Sequence, residues 1–163
     1  MNNIKNPASL QNSVLLMRLF IGWHFLYEGF VKWYNPQWSA KGYLMGSEGF
    51  MTPFFQWLGS DSLIGFVDAA NTVALLFVGF TLVLGIFERQ GAIVGVVLLA
   101  FYYLAQPAFP WLQQVSVEGN YWFVNKNLIE LTALVVVFNA PTGYLFGLER
   151  LFGFKSEKLT AAS

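Results

Sequence analysis

Long apolar runs alternate with shorter polar or glycine- and proline-rich stretches along most of the chain. The first run, from Val14 to about Trp33, is as long as the roughly 20 residues that an α-helix needs to cross a hydrocarbon core of roughly 30 Å. Three further runs follow. The chain is therefore predicted to be an all-α integral membrane protein, a four-helix bundle. The predicted spans cover approximately residues 13–34, 64–87, 91–106 and 125–146.

The ends of the runs indicate how the spans are connected. The first run closes on Lys32, Trp33 and Tyr34, which is typical of a retained helix with an aromatic interfacial belt and not of a cleaved signal peptide. Only residues 88–90 separate the second run from the third, so these two spans are predicted to form an antiparallel hairpin. The third span is predicted to stop near Gln106, because the prolines that follow lack the backbone N–H of a continuing helix.

Composition supports a membrane protein and excludes several other classes. Of the 163 residues, 56% are hydrophobic and only 11% are charged, and the mean hydropathy is +0.51, whereas globular proteins carry about 25% charged residues. The net charge is zero, so nucleic acid is not an expected partner. The absence of cysteine excludes thiol redox chemistry and iron–sulfur ligation by this chain alone. No metal site and no covalently bound cofactor are predicted.

Lysine and arginine are unevenly distributed between the two predicted sides of the bundle. Four spans put both termini on one side, and six of these residues fall there against three on the other. The positive-inside rule therefore predicts that both termini face the cytoplasm. The opposite side, where the first span ends and the second begins, is called the outer end. The six are Lys5, Arg18, Arg89, Arg150, Lys155 and Lys158, and the three are Lys32, Lys41 and Lys126.

Two longer segments, residues 35–63 and 107–124, fall at the outer end. The first is rich in aromatic residues, methionine and glycine. We expect it to lie on, or dip into, the outer membrane surface, either as a functional lid or as an interfacial structural segment. Residues 1–150 are predicted to form one transmembrane domain, and residues 151–163 a polar C-terminal tail.

Polar residues concentrate at the outer ends of all four predicted spans, and this set is called the polar layer. Charges at membrane depth cost about 2.5 to 3.5 kcal/mol each near a helix centre on insertion scales, and they usually mark function. The layer comprises Glu28 and Lys32 in the first span, Asp68 and Asn71 in the second, Tyr102, Tyr103 and Gln106 in the third, and Asn125, Lys126, Asn127 and Glu130 in the fourth.

The polar layer has a structural interpretation beside the functional one. Lys32 and Lys126 are of a type that snorkels to the membrane surface. The spacings from Glu28 to Lys32 and from Lys126 to Glu130 are both i, i+4. Each pair could therefore form an ion pair within its own helix with a purely structural role. His24 is the single histidine, and it either relays protons beside a carboxylate or is a hydrogen-bonded interior residue.

One face of the first predicted helix carries its charges and two glycines, and Trp23 and Tyr27 fall on the opposite face. Because glycines beside charges allow another helix to approach closely, the charged face is predicted to point into the bundle. The residues with a predicted structural role are Arg18, Gly22 and Gly29 on this helix, and Gly91 and Gly95 in a small-xxx-small packing motif on the third span.

The segments LMRLFIGWHFLYEGFVKW, VGFTLVLGIFER and NKNLIELTALVVVFNAPTGYLFGLE resemble the DoxX/DoxD family of small bacterial membrane proteins over roughly residues 13–150. The most specific part is the family's R-x3-G-x6-G-x2-K pattern, which matches Arg18, Gly22, Gly29 and Lys32. The resemblance implies a four-helix bundle in the bacterial inner membrane. It also implies kinship with the membrane subunit of a thiosulfate:quinone oxidoreductase, which works with a separate partner subunit.

The polar layer fits quinone chemistry, because a quinone head group needs aromatic walls, hydrogen-bond donors and titratable groups. The chain is predicted to be the membrane subunit of a quinone-linked oxidoreductase, with electrons supplied by another subunit or a soluble reductant. The alternatives are a non-catalytic anchor that docks an outer-face partner, and binding or transport of a small anion such as thiosulfate. The candidates are Glu28, Glu130 and His24 for proton relay, and Lys32, Trp33, Asp68, Asn71, Tyr102, Tyr103, Lys126 and Asn127 for binding of the quinone or substrate.

Overall fold

The computed structural model describes residues 7–112 and 121–151, and within these ranges the chain is helical and contains no β-strand. The predicted all-α class is therefore confirmed. The predicted tail, residues 151–163, lies outside the described residues from residue 152 onward. The helices in chain order are α1 (Pro7–Tyr34), α2 (Lys41–Met45), α3 (Thr52–Leu58), α4 (Ile64–Leu84), α5 (Glu88–Ala105), α6 (Lys126–Asn139) and α7 (Gly143–Phe146), followed by a 3₁₀ turn at Leu148–Arg150.

Three of the helices in the described ranges are long and apolar enough to cross a membrane, namely α1, α4 and α5. The fourth predicted span, residues 125–146, is interrupted. Helix α6 has 14 residues and a length of about 21 Å, which is short of a hydrocarbon core of roughly 30 Å. It ends because Pro141 disfavours a helical backbone at the residue before it, and Ala140 has φ −126° and ψ 62°. The chain then resumes as α7.

Other helix boundaries differ from the predicted ones by a few residues. Helix α1 begins at Pro7, before the predicted residue 13. Helix α4 ends at Leu84, because Gly85 adopts a left-handed conformation with φ 63° that caps the helix. Helix α5 begins at Glu88, so this residue belongs to the helix and not to the turn.

The close approach of α1 to α4 depends on glycine at the crossing. A Cβ atom on Gly79 of α4 would lie 2.6 Å from the backbone nitrogen of Leu26 on α1. A Cβ atom on Gly22 or Gly29 of α1 would lie 2.9 Å from Val83 or 2.8 Å from Leu76 on α4. The two backbones therefore pack at a distance that only glycine permits at these positions.

The charged face of α1 points inward, as predicted. Arg18 is fully buried, whereas Trp23 and Tyr27 are 66% and 58% exposed and form a surface suited to lipid. Helices α1, α4, α5 and α6 all contribute to one apolar core, and α6 packs on α5 and on α1. The buried core side chains are Ile21, Phe25, Leu75, Val78, Leu82, Ala92, Leu99, Leu134 and Val137.

Helices α2 and α3 form a roof over the outer ends of α4 and α5. Leu44 of α2 and Phe55 of α3 are buried against Ala105 at the end of α5. Asp68 Oδ1 on α4 accepts a hydrogen bond from the backbone N–H of Ala40 at 2.8 Å. The segment that was predicted to lie at the outer surface is thus folded onto the bundle by apolar packing and by a backbone contact.

Candidate functional site

A hydrogen-bonded pair joins His24 of α1 to Glu130 of the polar layer on α6. His24 Nδ1 lies 2.7 Å from Glu130 Oε1, although the two residues are 106 positions apart in the chain. The side chains of His24 and Glu130 are 32% and 11% exposed. The i, i+4 spacing suggested Lys126 as the partner of Glu130, and the structure gives Glu130 a partner on a different helix.

Glu28 and Lys32 form an ion pair within α1, as their spacing predicted. Lys32 Nζ also lies 5.3 Å from the centre of the Trp38 ring, a distance at which a cation is attracted by an aromatic face. Lys32 is therefore held between a carboxylate and a ring at the outer end of α1.

Two tyrosines link the roof to the polar layer. The Tyr43 hydroxyl donates to the backbone carbonyl of Tyr102 at 2.8 Å, and the Tyr102 hydroxyl donates to Asn71 Oδ1. Burial raises the pKa of Tyr43 to about 12, because low-dielectric surroundings disfavour the phenolate. Its hydroxyl therefore remains a hydrogen-bond donor throughout the physiological pH range.

A cavity of about 200 Å³, called the central cavity, lies between these polar groups. Its apolar walls come from core residues such as Phe25 and Leu99, and both signs of charge face it. It is large enough for a small anion or one ring of a larger molecule. The polar residues that line it are His24, Glu28, Lys32, Tyr102, Lys126 and Asn127.

An apolar groove of about 740 Å³ runs between α1 and α6 and is called the α1–α6 groove. Its walls include Leu16, Met17 and Phe20 of α1 and Ala133 of α6. His24, Glu130 and Lys126 line its outer end, and two of them, His24 and Lys126, also line the central cavity. The α1–α6 groove, at the side of the bundle, thus ends at the polar layer.

A second groove, of about 490 Å³, lies between α4 and α5 beneath the roof and is called the α4–α5 groove. Its lining is almost wholly apolar, and Asn71, Tyr43 and Tyr102 supply its polar groups. Because Tyr102 also lines the central cavity, the polar layer lies between two apolar spaces on different sides of the bundle. The α1–α6 groove is the one that ends at titratable acid and base groups.

The structure brings together some of the predicted binding residues and places others elsewhere. Lys32, Tyr102, Lys126 and Asn127 line the central cavity, and Asn71 reaches it through the Tyr102 hydroxyl. Three others do not line it: Trp33 is 68% exposed on the outside of α1, Asp68 anchors the roof, and the Tyr103 hydroxyl donates to the backbone carbonyl of Phe123 at 2.7 Å.

A second polar cluster, at the opposite end of the bundle, was not predicted. Arg18 Nη1 donates to Glu88 Oε2 at 3.3 Å and to Thr142 Oγ1 at 2.9 Å. Glu88 Oε2 also accepts from the backbone N–H groups of Thr142 and Gly143 at 3.0 and 2.6 Å. The side chains of Arg18 and Glu88 are each 1% exposed. This cluster, called the inner clamp, ties α1 and α5 to the start of α7.

A sequence signal for the inner clamp did exist. A buried arginine in an apolar bundle requires a carboxylate partner, and Glu88 stands at the same end of the predicted bundle as Arg18. The predicted spans place Glu88 in the turn between the second and third spans, so they do not identify it as the partner of Arg18. The clamp is tightly packed against Gly85, since a Cβ atom on that residue would lie 3.0 Å from Arg18 Nη1.

Within residues 7–112 and 121–151, no group of three or more His, Asp or Glu side chains is arranged to hold a metal ion. The polar layer therefore offers hydrogen bonds, charges and proton-exchanging groups as its chemistry.

The helices and the polar layer define a multi-pass helical membrane protein with a polar site near one end of the bundle. The chain belongs to the DoxX family, whose sequence pattern matches residues 13–107. The match spans α1 to α5, and the earlier resemblance over residues 108–150 lies beyond it. Comparisons with curated proteins and with solved structures find no match.

Proposed function

We propose that the chain is the membrane subunit of a quinone-linked oxidoreductase and that its polar layer holds the quinone head group. The observation that carries this proposal is the α1–α6 groove, an apolar channel that ends at a hydrogen-bonded His24–Glu130 pair. A quinone has the same two-part chemistry, since its tail needs apolar space and its ring needs hydrogen bonds and groups that exchange protons.

The polar layer supplies each chemical function that a quinone ring requires. Lys126 and Asn127 are hydrogen-bond donors for ring carbonyls, and Tyr102 adds an aromatic wall. Glu130 and His24 are titratable groups in contact with each other. Because the chain has no cysteine, it has no iron–sulfur carrier of its own. We assign the delivery of electrons to a partner subunit or to a soluble reductant.

The proposal includes a four-pass topology in the bacterial inner membrane with both termini in the cytoplasm. Helix α6 is too short to span alone, but the chain resumes as α7 after the break at Pro141, and the inner clamp holds the start of α7 against α1 and α5. Helices α6 and α7 together make the fourth pass. The excess of lysine and arginine at the clamp end supports the cytoplasmic assignment.

A second candidate function is the binding of a small anion. Lys32 and Lys126 both line the 200 Å³ central cavity, whose size suits an anion such as thiosulfate. Glu28 also lines that cavity and pairs with Lys32, which reduces the positive charge available to an anion. This geometry therefore favours the quinone over the anion.

Purified protein in lipid nanodiscs is expected to unfold at a higher temperature in the presence of decyl-ubiquinone. A ligand at 100 times its Kd stabilises the folded state by about 2.7 kcal/mol. The matched control is n-decanol, which has the tail without the ring and is expected to produce no comparable shift. Quinone is also expected in organic extracts of the untreated protein.

The absence of a thermal shift with decyl-ubiquinone, together with the absence of quinone from the extracts, would contradict the proposal. A shift with sodium thiosulfate that disappears in Lys126→Ala, without a shift from decyl-ubiquinone, would establish the anion site instead. If neither compound stabilises the protein and no quinone is extracted, the non-catalytic anchor becomes the better account.

A further inference from the structure

Among the described residues, one carboxylate oxygen of Glu130 has a hydrogen-bond partner and the other has none. Its Oε1 lies 2.7 Å from His24 Nδ1. Its Oε2 is buried and has no hydrogen-bond partner among the residues that the structure describes. A buried acceptor without a partner is costly, and more so when it carries charge. The position of Oε2 therefore requires a donor that the described residues do not supply.

The missing donor has a route to Glu130 through the α1–α6 groove, because Glu130 and His24 line its outer end. Along α1 the groove extends from Ser13 to His24, a rise of about 16 Å for eleven residues of helix. A decyl tail occupies most of that length, and the remainder is left for a head group. The groove thus matches a ligand with a long apolar tail and a hydrogen-bond donor at its head.

We infer that the α1–α6 groove binds the reduced form of the quinone, the quinol, and that a quinol hydroxyl donates to Glu130 Oε2. This inference rests on the proposed function and specifies which redox form the groove takes and from which side it enters. A quinone ring carries only acceptor carbonyls, whereas a quinol carries two O–H donors. We assign the ring proton to His24 Nδ1, so Glu130 accepts from His24 on Oε1 and leaves Oε2 as the acceptor for the quinol hydroxyl.

The position of the His24–Glu130 pair also indicates the side of the bundle from which the quinol enters. His24 lines both the groove and the central cavity, so the quinol ring, once bound to Glu130, lies at the boundary between the apolar and the polar space. The tail enters from the lipid on the α1 and α6 side of the bundle. The α4–α5 groove has no carboxylate in its lining, and its Asn71 Oδ1 already accepts from the Tyr102 hydroxyl.

The test compares two probes, decyl-hydroquinone kept reduced under argon and its redox-inert dimethyl ether. The ether keeps the ring and the tail but has no O–H donor. The wild-type protein is expected to bind the hydroquinone at least about tenfold more tightly than the ether, since a hydrogen bond to a charged group is worth that factor or more. In Glu130→Gln the preference is expected to fall to about threefold, as for a bond to a neutral acceptor.

Thr132→Val is the matched control on the same helix, because Thr132 is exposed and, among the described residues, its hydroxyl donates to the backbone carbonyl of Ile129 on its own helix. It is expected to keep the tenfold preference. Any preference that arises from the bulk of the ether's methyl groups persists in Glu130→Gln. The difference in preference between the wild type and Glu130→Gln therefore measures the hydrogen bond alone.

A second pair of variants tests the groove independently of Glu130. Ala133→Phe fills the α1–α6 groove and Ala74→Phe fills the α4–α5 groove, and both alanines are partly exposed on their helices. Binding of decyl-hydroquinone is expected to weaken at least tenfold in Ala133→Phe and to stay within twofold of wild type in Ala74→Phe. Thermal unfolding and size-exclusion profiles show whether each variant is folded.

The outcomes separate this inference from the proposed function. If the protein binds decyl-ubiquinone but prefers neither probe, or if Ala74→Phe alone abolishes binding, the quinone proposal stands and the assignment to Glu130 and the α1–α6 groove is overturned. If neither quinone nor hydroquinone binds the wild-type protein, the proposed function itself fails.

Discussion

Replacing Arg18 with methionine is expected to lower the free energy of unfolding by about 3–5 kcal/mol, the cost of removing one partner from a buried ion pair. The reason is that Glu88 would remain buried with a charge and without its guanidinium partner. The loss would also release Thr142 Oγ1 from α1. Unfolding in mixed detergent–SDS micelles, followed by circular dichroism, measures the difference.

The neighbouring arginine provides a matched control. Arg89 is exposed, and its nearest aromatic contact is Phe138, whose ring centre is 6.0 Å from Cζ, so Arg89→Met is expected to cost at most about 1 kcal/mol. The double variant Arg18→Met/Glu88→Met removes both charges and is expected to be more stable than Arg18→Met alone. A loss in Arg18→Met no greater than in Arg89→Met would show that the clamp contributes little.

Replacing Gly79 with alanine is expected to cost about 1–3 kcal/mol or more, because it overpacks the crossing of α1 and α4. The added Cβ would lie 2.6 Å from the backbone nitrogen of Leu26. A side chain could rotate away from such a contact, but a backbone atom cannot, so the two helices must separate. The same micelle unfolding experiment measures this loss.

Gly65 on the same helix is the control, since a Cβ at that position meets nothing within 4 Å. Gly65→Ala is expected to be neutral or to stabilise the protein by up to about 1 kcal/mol, through the reduced freedom of the unfolded chain. Equal effects of the two substitutions would mean that helix propensity, and not the close crossing, determines the response.

The helices could be predicted from the sequence because their signals are local. Apolar runs, the short connection before α5 and the proline after it all act within a few residues. The predicted fourth span is too long because the apolar composition of a segment does not show where its backbone leaves the helix. Pro141 and the residues after it were included in the span, whereas the backbone leaves the helix at Ala140.

The site was predictable only where its contacts lie within one helix. The Glu28–Lys32 pair follows from i, i+4 spacing, and the structure shows it. The His24–Glu130 pair and the Arg18–Glu88 pair join different helices, and their formation depends on how those helices pack and rotate. The sequence indicates that buried charges need partners, but not which partner each one meets.

The polar layer and the α1–α6 groove are proposed to hold a quinone, and every other functional assignment depends on this binding. It is tested most directly by photoaffinity labelling in nanodiscs with an azido-ring decyl-ubiquinone, followed by mass mapping of the labelled peptides. We expect labels on α1 near His24 and on α6 near Glu130 that disappear with excess unlabelled decyl-ubiquinone. Competed labels confined to α4 and α5, or an absence of competed labels, would contradict it.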